Sequence, residues 1–174
     1  MTDKLSINEV RYQNMILIKS WPDSAKDADA ILATYLGVNV LPTVGNFVNP
    51  EETYCAALSP GHFMIFSNNR SLYSEVQKLL SADIASVVDI SHSRCGIHLS
   101  GKNSTTLLNK GISINLNDDA LPEMSVLQSS VHSIGIILFK VQYDDYLIFS
   151  YSSFFDSFYT WVIDSAAEYG YAPT

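Results

Sequence analysis

The sequence predicts an α+β fold of two duplicated ferredoxin-like (βαββα) units, each an antiparallel sheet with helices on one face. Three observations predict it. Short strand-like runs alternate with amphipathic helical stretches in the order strand, helix, hairpin, helix, and that order occurs twice. A shift of 83 positions, from Phe63 to Tyr146, lays the first hairpin and its helix on the second without a gap. A chain of 174 residues buries about 70% of its unfolded surface, so such a core needs no covalent staples.

Residues 15–21 (MILIKSW) read as the first strand. Pro22-Asp23-Ser24 supplies turn and capping chemistry, residues 25–36 read as helix, and Gly37 is the stop. Residues 38–50, broken by Pro42, Gly45 and Pro50, read as an irregular connection. Residues 53–58 and 63–67 form a hairpin around Ser59-Pro60-Gly61-His62. A helix opening at Asn69 or Ser71 runs to about residue 81, with Leu72, Val76, Leu79 and Leu80 on its apolar face. Strands at 86–91 and 95–99 follow, then a short helix over 104–110 stopped by Gly111. Residues 112–122 read as a loop, residues 125–131, 134–141 and 146–150 as strands, and 153 to about 169 as a long closing helix. In the repeat, Cys55 to Leu58 falls on Leu138 to Val141, and Phe63 to Ser67 on Tyr146 to Ser150. Leu72, Val76 and Leu79 fall on Phe155, Tyr159 and Val162. Agreement through turn, strand and helix phase indicates duplication. The expectation is one compact domain, residues 1–174, with related halves at about 13–91 and 92–170.

Charge narrows the function classes. Ten Lys+Arg against 18 Asp+Glu, a net charge of -8 and a pI near 4.7 argue against a nucleic-acid surface, which needs a basic face. The longest apolar runs, such as 134–139, fall far short of the ~20 residues that span a membrane. The start, Met1-Thr2-Asp3-Lys4, lacks the pattern of a secretory leader, so a cytoplasmic location with reduced thiols is expected. Cys55 and Cys95 alone make neither a disulfide framework nor a four-ligand zinc site, and read as small apolar fillers of strands. Only 16% of residues are charged, against ~25% in ordinary domains. Either the core is large or another chain covers part of the surface.

The chemistry-bearing residues are sparse. No GxGxxG or GxxxxGK[ST] loop and no HExxH pair occurs, and His62, His92, His98 and His132 fall in different elements. The one dense polar cluster runs from Asp89 through Ser91, His92 and Ser93 to Arg94 and Cys95. A catalytic reading would make His92 a base beside Asp89, with Cys95 or a serine as nucleophile. A structural reading makes it a tight turn or contact loop, in which Asp and Ser satisfy loop amides and Arg94 pairs with a carboxylate. Catalytic triads draw their members from separate elements, and a cluster this local hardly converges on one substrate atom. The turn is the reading adopted, with Asp89, Ser91, His92 and Arg94 as a candidate contact loop. No catalytic, cofactor-binding or metal-binding residue is assigned.

The same cluster carries a family resemblance. Val88-Asp89-Ile90-Ser91 with Arg94, then Leu99-Ser100-Gly101, then Leu107-Leu108-Asn109-Lys110-Gly111, resembles the gamma subunit of heterotetrameric sarcosine oxidase. That family shows V-D-x-S-x-x-R, a strand ending L-S-G, and a short helix ending L-L-x-K-G. The resemblance extends from about Asn39 to Pro173, through Gln128, residues 135–141 and 146–149, and Trp161. Departures are His92-Ser93-Arg94 where Asp-Gly-Arg is frequent, Lys102 in place of a proline, and Phe63 in place of a tryptophan.

The resemblance implies a non-catalytic small subunit with no cofactor of its own, supporting assembly of flavin- and NAD-carrying subunits in oxidative demethylation of sarcosine. It implies partners of the alpha, beta and delta types, which hold the FAD, FMN, NAD, zinc and tetrahydrofolate. It also implies a fold similar to the folate-binding domain of glycine-cleavage aminomethyltransferase. The alternatives are a stand-alone folate-binding or aminomethyltransferase-like protein, and the equivalent subunit of a related N-methyl amine or amino acid dehydrogenase. The closing helix fits a subunit. At about 100° per residue, its aromatic and aliphatic residues cover an arc of roughly 200°, about twice what one-sided packing needs. Phe154, Phe155, Phe158, Tyr159 and Trp161 are therefore the candidate partner interface, one edge packing inward and the other meeting another chain.

Overall fold

The computed structural model describes residues 4–171. The expected domain limits at residues 1 and 174, the leader reading of Met1 to Asp3, and Pro173 lie outside the described residues. Among the described residues the elements run β1 (Ser6–Val10), β2 (Asn14–Ser20), α1 (Ala25–Leu36), β3 (Phe47–Val48), β4 (Tyr54–Ser59), β5 (His62–Ser67), α2 (Leu72–Leu79) and β6 (Ala85–Asp89). They continue with β7 (Arg94–Ser100), α3 (Ser104–Leu108), β8 (Ser125–Val131), β9 (Ile134–Gln142), β10 (Asp145–Tyr151) and α4 (Phe155–Ala166). Contacts divide the chain into two compact units, Tyr12–Ser91 on the one hand, and the chain up to Arg11 with the chain from His92 onward on the other.

The Tyr12–Ser91 unit holds an antiparallel sheet in the order β3-β4-β5-β2-β6. Alternate residues Ile16, Ile18, Cys55, Ala57, Phe63 and Ile65 face Ala28, Leu32 and Leu36 of α1 and Leu72 and Val76 of α2. This is the period-2 face of strands meeting the apolar stripe of helices. α1 ends where expected: Gly37 takes φ 67° and its N–H caps the Thr34 carbonyl, a left-handed stop that glycine adopts without strain.

The other unit holds the sheet β1-β7-β10-β9-β8. Here Ile97, Leu99, Ile136, Leu138, Tyr146 and Ile148 face α3 and α4, with Ile112 and Leu116 of the following loop filling the end of the core. β1 pairs with β7, Ile7 opposite Leu99, and takes the edge place that β6 takes beside β2, Val87 opposite Ile18. Each unit thus completes the four-strand ferredoxin-like order, one with a strand from the chain's start.

The duplication holds register by register. Ala57 pairs with Phe63, Cys55 with Ile65 and Tyr54 with Phe66; 83 positions on, Lys140 pairs with Tyr146, Leu138 with Ile148 and Ile137 with Phe149. The register shift at Ser59–His62 recurs at Gln142–Asp145, and the turn position held by Gly61 at φ 69° is held by Asp144 at φ 54°.

The middle of each sheet is buried on both faces. Opposite the helices, Met64 and Phe66 in one unit and Phe139, Leu147 and Phe149 in the other are 5% exposed or less. That is why these strands read as unbroken apolar runs rather than alternating ones. The sequence reading omits β1 and β3, and the helix expected over 104–110 is shorter, ending at Leu108. The closing helix is α only over Phe155–Ala166, with tighter turns at Ser152–Phe154 and Ala167–Tyr169.

Candidate functional site

The polar cluster around residue 90 is split between the units, with Asp89 and Ser91 in one and His92 and Arg94 in the other. In the first, Asp89 Oδ1 accepts hydrogen bonds from the Ser91 N–H at 2.9 Å and the Ser91 hydroxyl at 2.6 Å. Ser91 Oγ in turn accepts from the Met15 N–H at 3.0 Å. This is an Asp-Ser turn that satisfies the amides where β6 ends, as the structural reading expects.

In the second unit, the Ser152 hydroxyl donates to the His92 carbonyl at 2.8 Å, the Ser152 N–H donates to the Ser93 carbonyl, and the Cys95 thiol donates to Ser152 Oγ at 3.7 Å. Ser152 therefore fastens the loop before β7 to the end of β10 through backbone groups, while the His92 ring stands exposed. No nucleophile, base and orienting group converge here. Arg94 corrects one expectation. Its guanidinium lies over the Tyr151 ring, 4.0 Å from the centroid, and pairs with no carboxylate among the described residues. The nearest cross-strand neighbour, Tyr151 opposite Arg94, is aromatic, so stacking replaces the ion pair.

The residues that carry the resemblance have structural work. Leu107 and Leu108 are fully buried. Lys110 bonds the Ser165 carbonyl, pairs with Glu168 and lies over the Tyr169 ring, tying the turn after α3 to the end of α4. Gly111 lies under the Trp161 indole, where a Cβ would collide with the ring. Gly101 takes φ 92°, donates to the Asp144 carbonyl and receives the Ser104 hydroxyl, joining the end of β7 to α3.

The five candidate interface residues of the closing helical segment separate. Phe155 and Phe158 are core. Tyr159 stacks on Phe155 and is half-buried, and half-buried Trp161 stands edge-on to His132. Phe154 is 53% exposed, and Tyr151 just before it 48%.

Two arrangements escaped the sequence. Lys140, wholly buried in β9, donates to the Leu116 carbonyl at 2.7 Å, the Leu121 carbonyl at 2.8 Å and Asp118 Oδ1 at 2.6 Å. Its signal was a lysine at a core-facing position of an apolar strand. His98 Nε2 lies 2.7 Å from Asp145 Oδ1, joining β7 to the start of β10. Cys55 is buried, and burial, with the negative charge of Asp29, pushes its thiol up to about 12, so it stays protonated and unreactive. No group of three or more His, Cys, Asp or Glu placed to hold a metal occurs among the described residues. No helix among them is long and apolar enough to cross a membrane.

Paired ferredoxin-like units of this strand order define an aminomethyltransferase-like α+β fold. The structure is similar to glycine cleavage system aminomethyltransferase T from Bartonella henselae, with a TM-score of 0.65 at 13% identity, over 92% of this chain and 45% of that one. It is more similar to a chain of the heterotetrameric sarcosine oxidase from Corynebacterium sp. U-96, solved in complex with pyrrole 2-carboxylate. There the TM-score is 0.86 at 23% identity, over 100% of this chain and 90% of that one. Sarcosine oxidase subunit gamma of Arthrobacter sp. is 24% identical over 170 residues, 97% of this chain and 82% of its own length. The same subunit of Corynebacterium sp. (strain P-1) is 23% identical over 171 residues, 97% and 83% respectively. The chain belongs to the sarcosine oxidase gamma subunit family, whose model matches residues 22–168.

Proposed function

We propose that this chain is the gamma-type subunit of a multi-subunit sarcosine oxidase, a non-catalytic scaffold in the oxidative demethylation of sarcosine. Its partners are alpha-, beta- and delta-type subunits, which hold the FAD, FMN, NAD, zinc and tetrahydrofolate, and the complex works in the cytoplasm. The observation that carries this reading is the family match across residues 22–168. The use of the polar cluster for turn and strand fastening supports a scaffold role. The closing helix and the loop at Asp89, Ser91, His92 and Arg94 are its proposed contact regions.

Native purification with identification of co-purifying proteins tests the assignment. Flavin-containing sarcosine oxidase subunits in stoichiometric amount are expected. Recovery of the chain alone, or with the subunits of another amine dehydrogenase, overturns it. Within the complex, His92→Ala is expected to leave sarcosine oxidation within a few-fold of wild type, whereas an acid–base residue would cost ~10²-fold or more.

A further inference from the structure

We propose that Arg94 and the end of the sheet beside it form a socket for a carboxylate side chain carried by a partner subunit, an inference that rests on the subunit reading above. Four strands end in one row here. Arg94 of β7 pairs with Tyr151 of β10, and Gly135 of β9 pairs with Ser130 of β8. Together with Gln128 they line a depression of about 420 Å³ on the face away from the helices. Tyr151 holds the guanidinium flat, yet none of its N–H groups finds a hydrogen-bond acceptor or an acid among the described residues. A guanidinium presents its donors in a planar fork that fits a carboxylate, and here the fork is already oriented.

Three features say what covers it. The lining holds one cation and no acid, and Gln128 and Ser130 add neutral side-chain donors, in a chain whose net charge is -8. A carboxylate is complementary in charge and in hydrogen-bonding shape to this spot. Gly135 leaves the floor open, because a Cβ there meets nothing within 4 Å. The lining carries Tyr151, an exposed aromatic stacked on the arginine, a pair typical of a binding hot spot rather than of a small-ion site.

The test measures affinity of the full chain for the co-expressed partner subunits, beside thermal unfolding of the chain alone. Arg94→Gln is expected to weaken binding by about 30-fold or more and Arg94→Glu further, as expected when a buried charge pair is broken. Gly135→Leu, which fills the depression without touching the charge, is expected to weaken binding comparably. All three are expected to leave the melting temperature of the lone chain nearly unchanged, and Lys102→Gln, outside the depression, to leave binding unchanged. Wild-type binding that persists in Arg94→Glu and Gly135→Leu overturns the socket and leaves the subunit reading standing. A wild-type chain that captures no sarcosine oxidase subunit overturns both. Saturable binding of free acetate to the isolated chain below millimolar concentration, with assembly insensitive to Arg94→Glu, makes it a small-carboxylate site and overturns the partner-borne occupant.

Discussion

Replacing Lys140 by Met deletes one ammonium and keeps nearly all of the buried stem. In the native chain that ammonium uses its three N–H groups on the Leu116 and Leu121 carbonyls and on Asp118 Oδ1, at 2.6–2.8 Å, and so pins the loop that follows α3. Its loss affects the acceptors unequally. The Asp118 side chain is 55% exposed and turns back to water, whereas the bond to the Leu116 carbonyl is buried. A buried carbonyl left without a donor costs about 1–3 kcal/mol, and the second carbonyl adds about 1 kcal/mol. Removing the ammonium also relieves its own desolvation, which offsets part of this. The net loss is about 2 kcal/mol, and at about 2–4 °C per kcal/mol for a protein of this size the melting temperature falls by about 4–8 °C. Thermal unfolding measures the fall, and hydrogen exchange of the amides of residues 116–121 locates it. Asp118→Asn, at an exposed position, costs about 1 kcal/mol or less. A Lys140→Met melting temperature within about 2 °C of wild type, or an Asp118→Asn loss as large as that of Lys140→Met, refutes the reasoning.

Cysteine reactivity separates the two thiols: a disulfide reagent titrates Cys95 in the folded chain and reaches buried Cys55 only after unfolding. Burial raises Cys55 from 9.0, and Tyr35 and Tyr146 from 10.0, to about 12 in the folded state. The unfolded chain therefore releases these protons first. Stability is intact below about pH 9 and is lost as pH climbs toward 12, and a urea midpoint flat or rising between pH 9 and 11 contradicts this. Gly111→Ala drives a methyl into the Trp161 ring and against Val131, and destabilises the chain by about 1–3 kcal/mol with a changed tryptophan emission; an unchanged melt and spectrum contradict that packing. Phe158→Ala costs about 3–5 kcal/mol of folding stability, while Phe154→Ala costs about 0.5 kcal/mol or less but weakens partner capture by about 2 kcal/mol. Equal effects of the two on the lone chain's melt go against the division of α4.

What was legible follows from locality. The hairpins, their turn residues and most of the helix phase were readable because partner residues lie close along the chain, and so the 83-residue repeat survives as register; Leu79, expected on the apolar face of α2, is instead 47% exposed. β1 was not readable. Its five residues offer one deeply buried apolar side chain, Ile7, and its partner Leu99 lies in the other half of the sequence. β3 was hidden for a different reason, being two residues long between Gly45 and Pro50. In the candidate contact loop, Asp89 and Ser91 behaved as short polar residues near their own backbone must, so their role was legible. Arg94 was identified but not its partner, because opposite charge is the default guess and an aromatic on a neighbouring strand is known only once the strands are paired. Lys140 broke the apolar pattern of β9 at a core-facing position, and such a break marks a buried charge whose acceptors lie elsewhere in the fold.

Scarce charge fits either a large core or a covering chain, and the sheets explain most of it. Strands buried on both faces need apolar residues at every position, so a large internal core lowers the charged fraction without any exposed patch. The wide arc of α4 resolves in the same way. Phe155, Phe158, Val162 and Ala166 face the sheet, while the flanks are taken by Tyr159 on Phe155 and by Trp161 on Gly111 and His132. The sides of the helix are thus largely consumed within its own unit, and what remains for another chain is its N-terminal end. There Tyr151 and Phe154 stay exposed, and the Arg94 guanidinium over Tyr151 pairs with no acid among the described residues. The case for a partner surface therefore moves from composition and helix periodicity to one junction, where β10 passes into α4 and Arg94 begins β7.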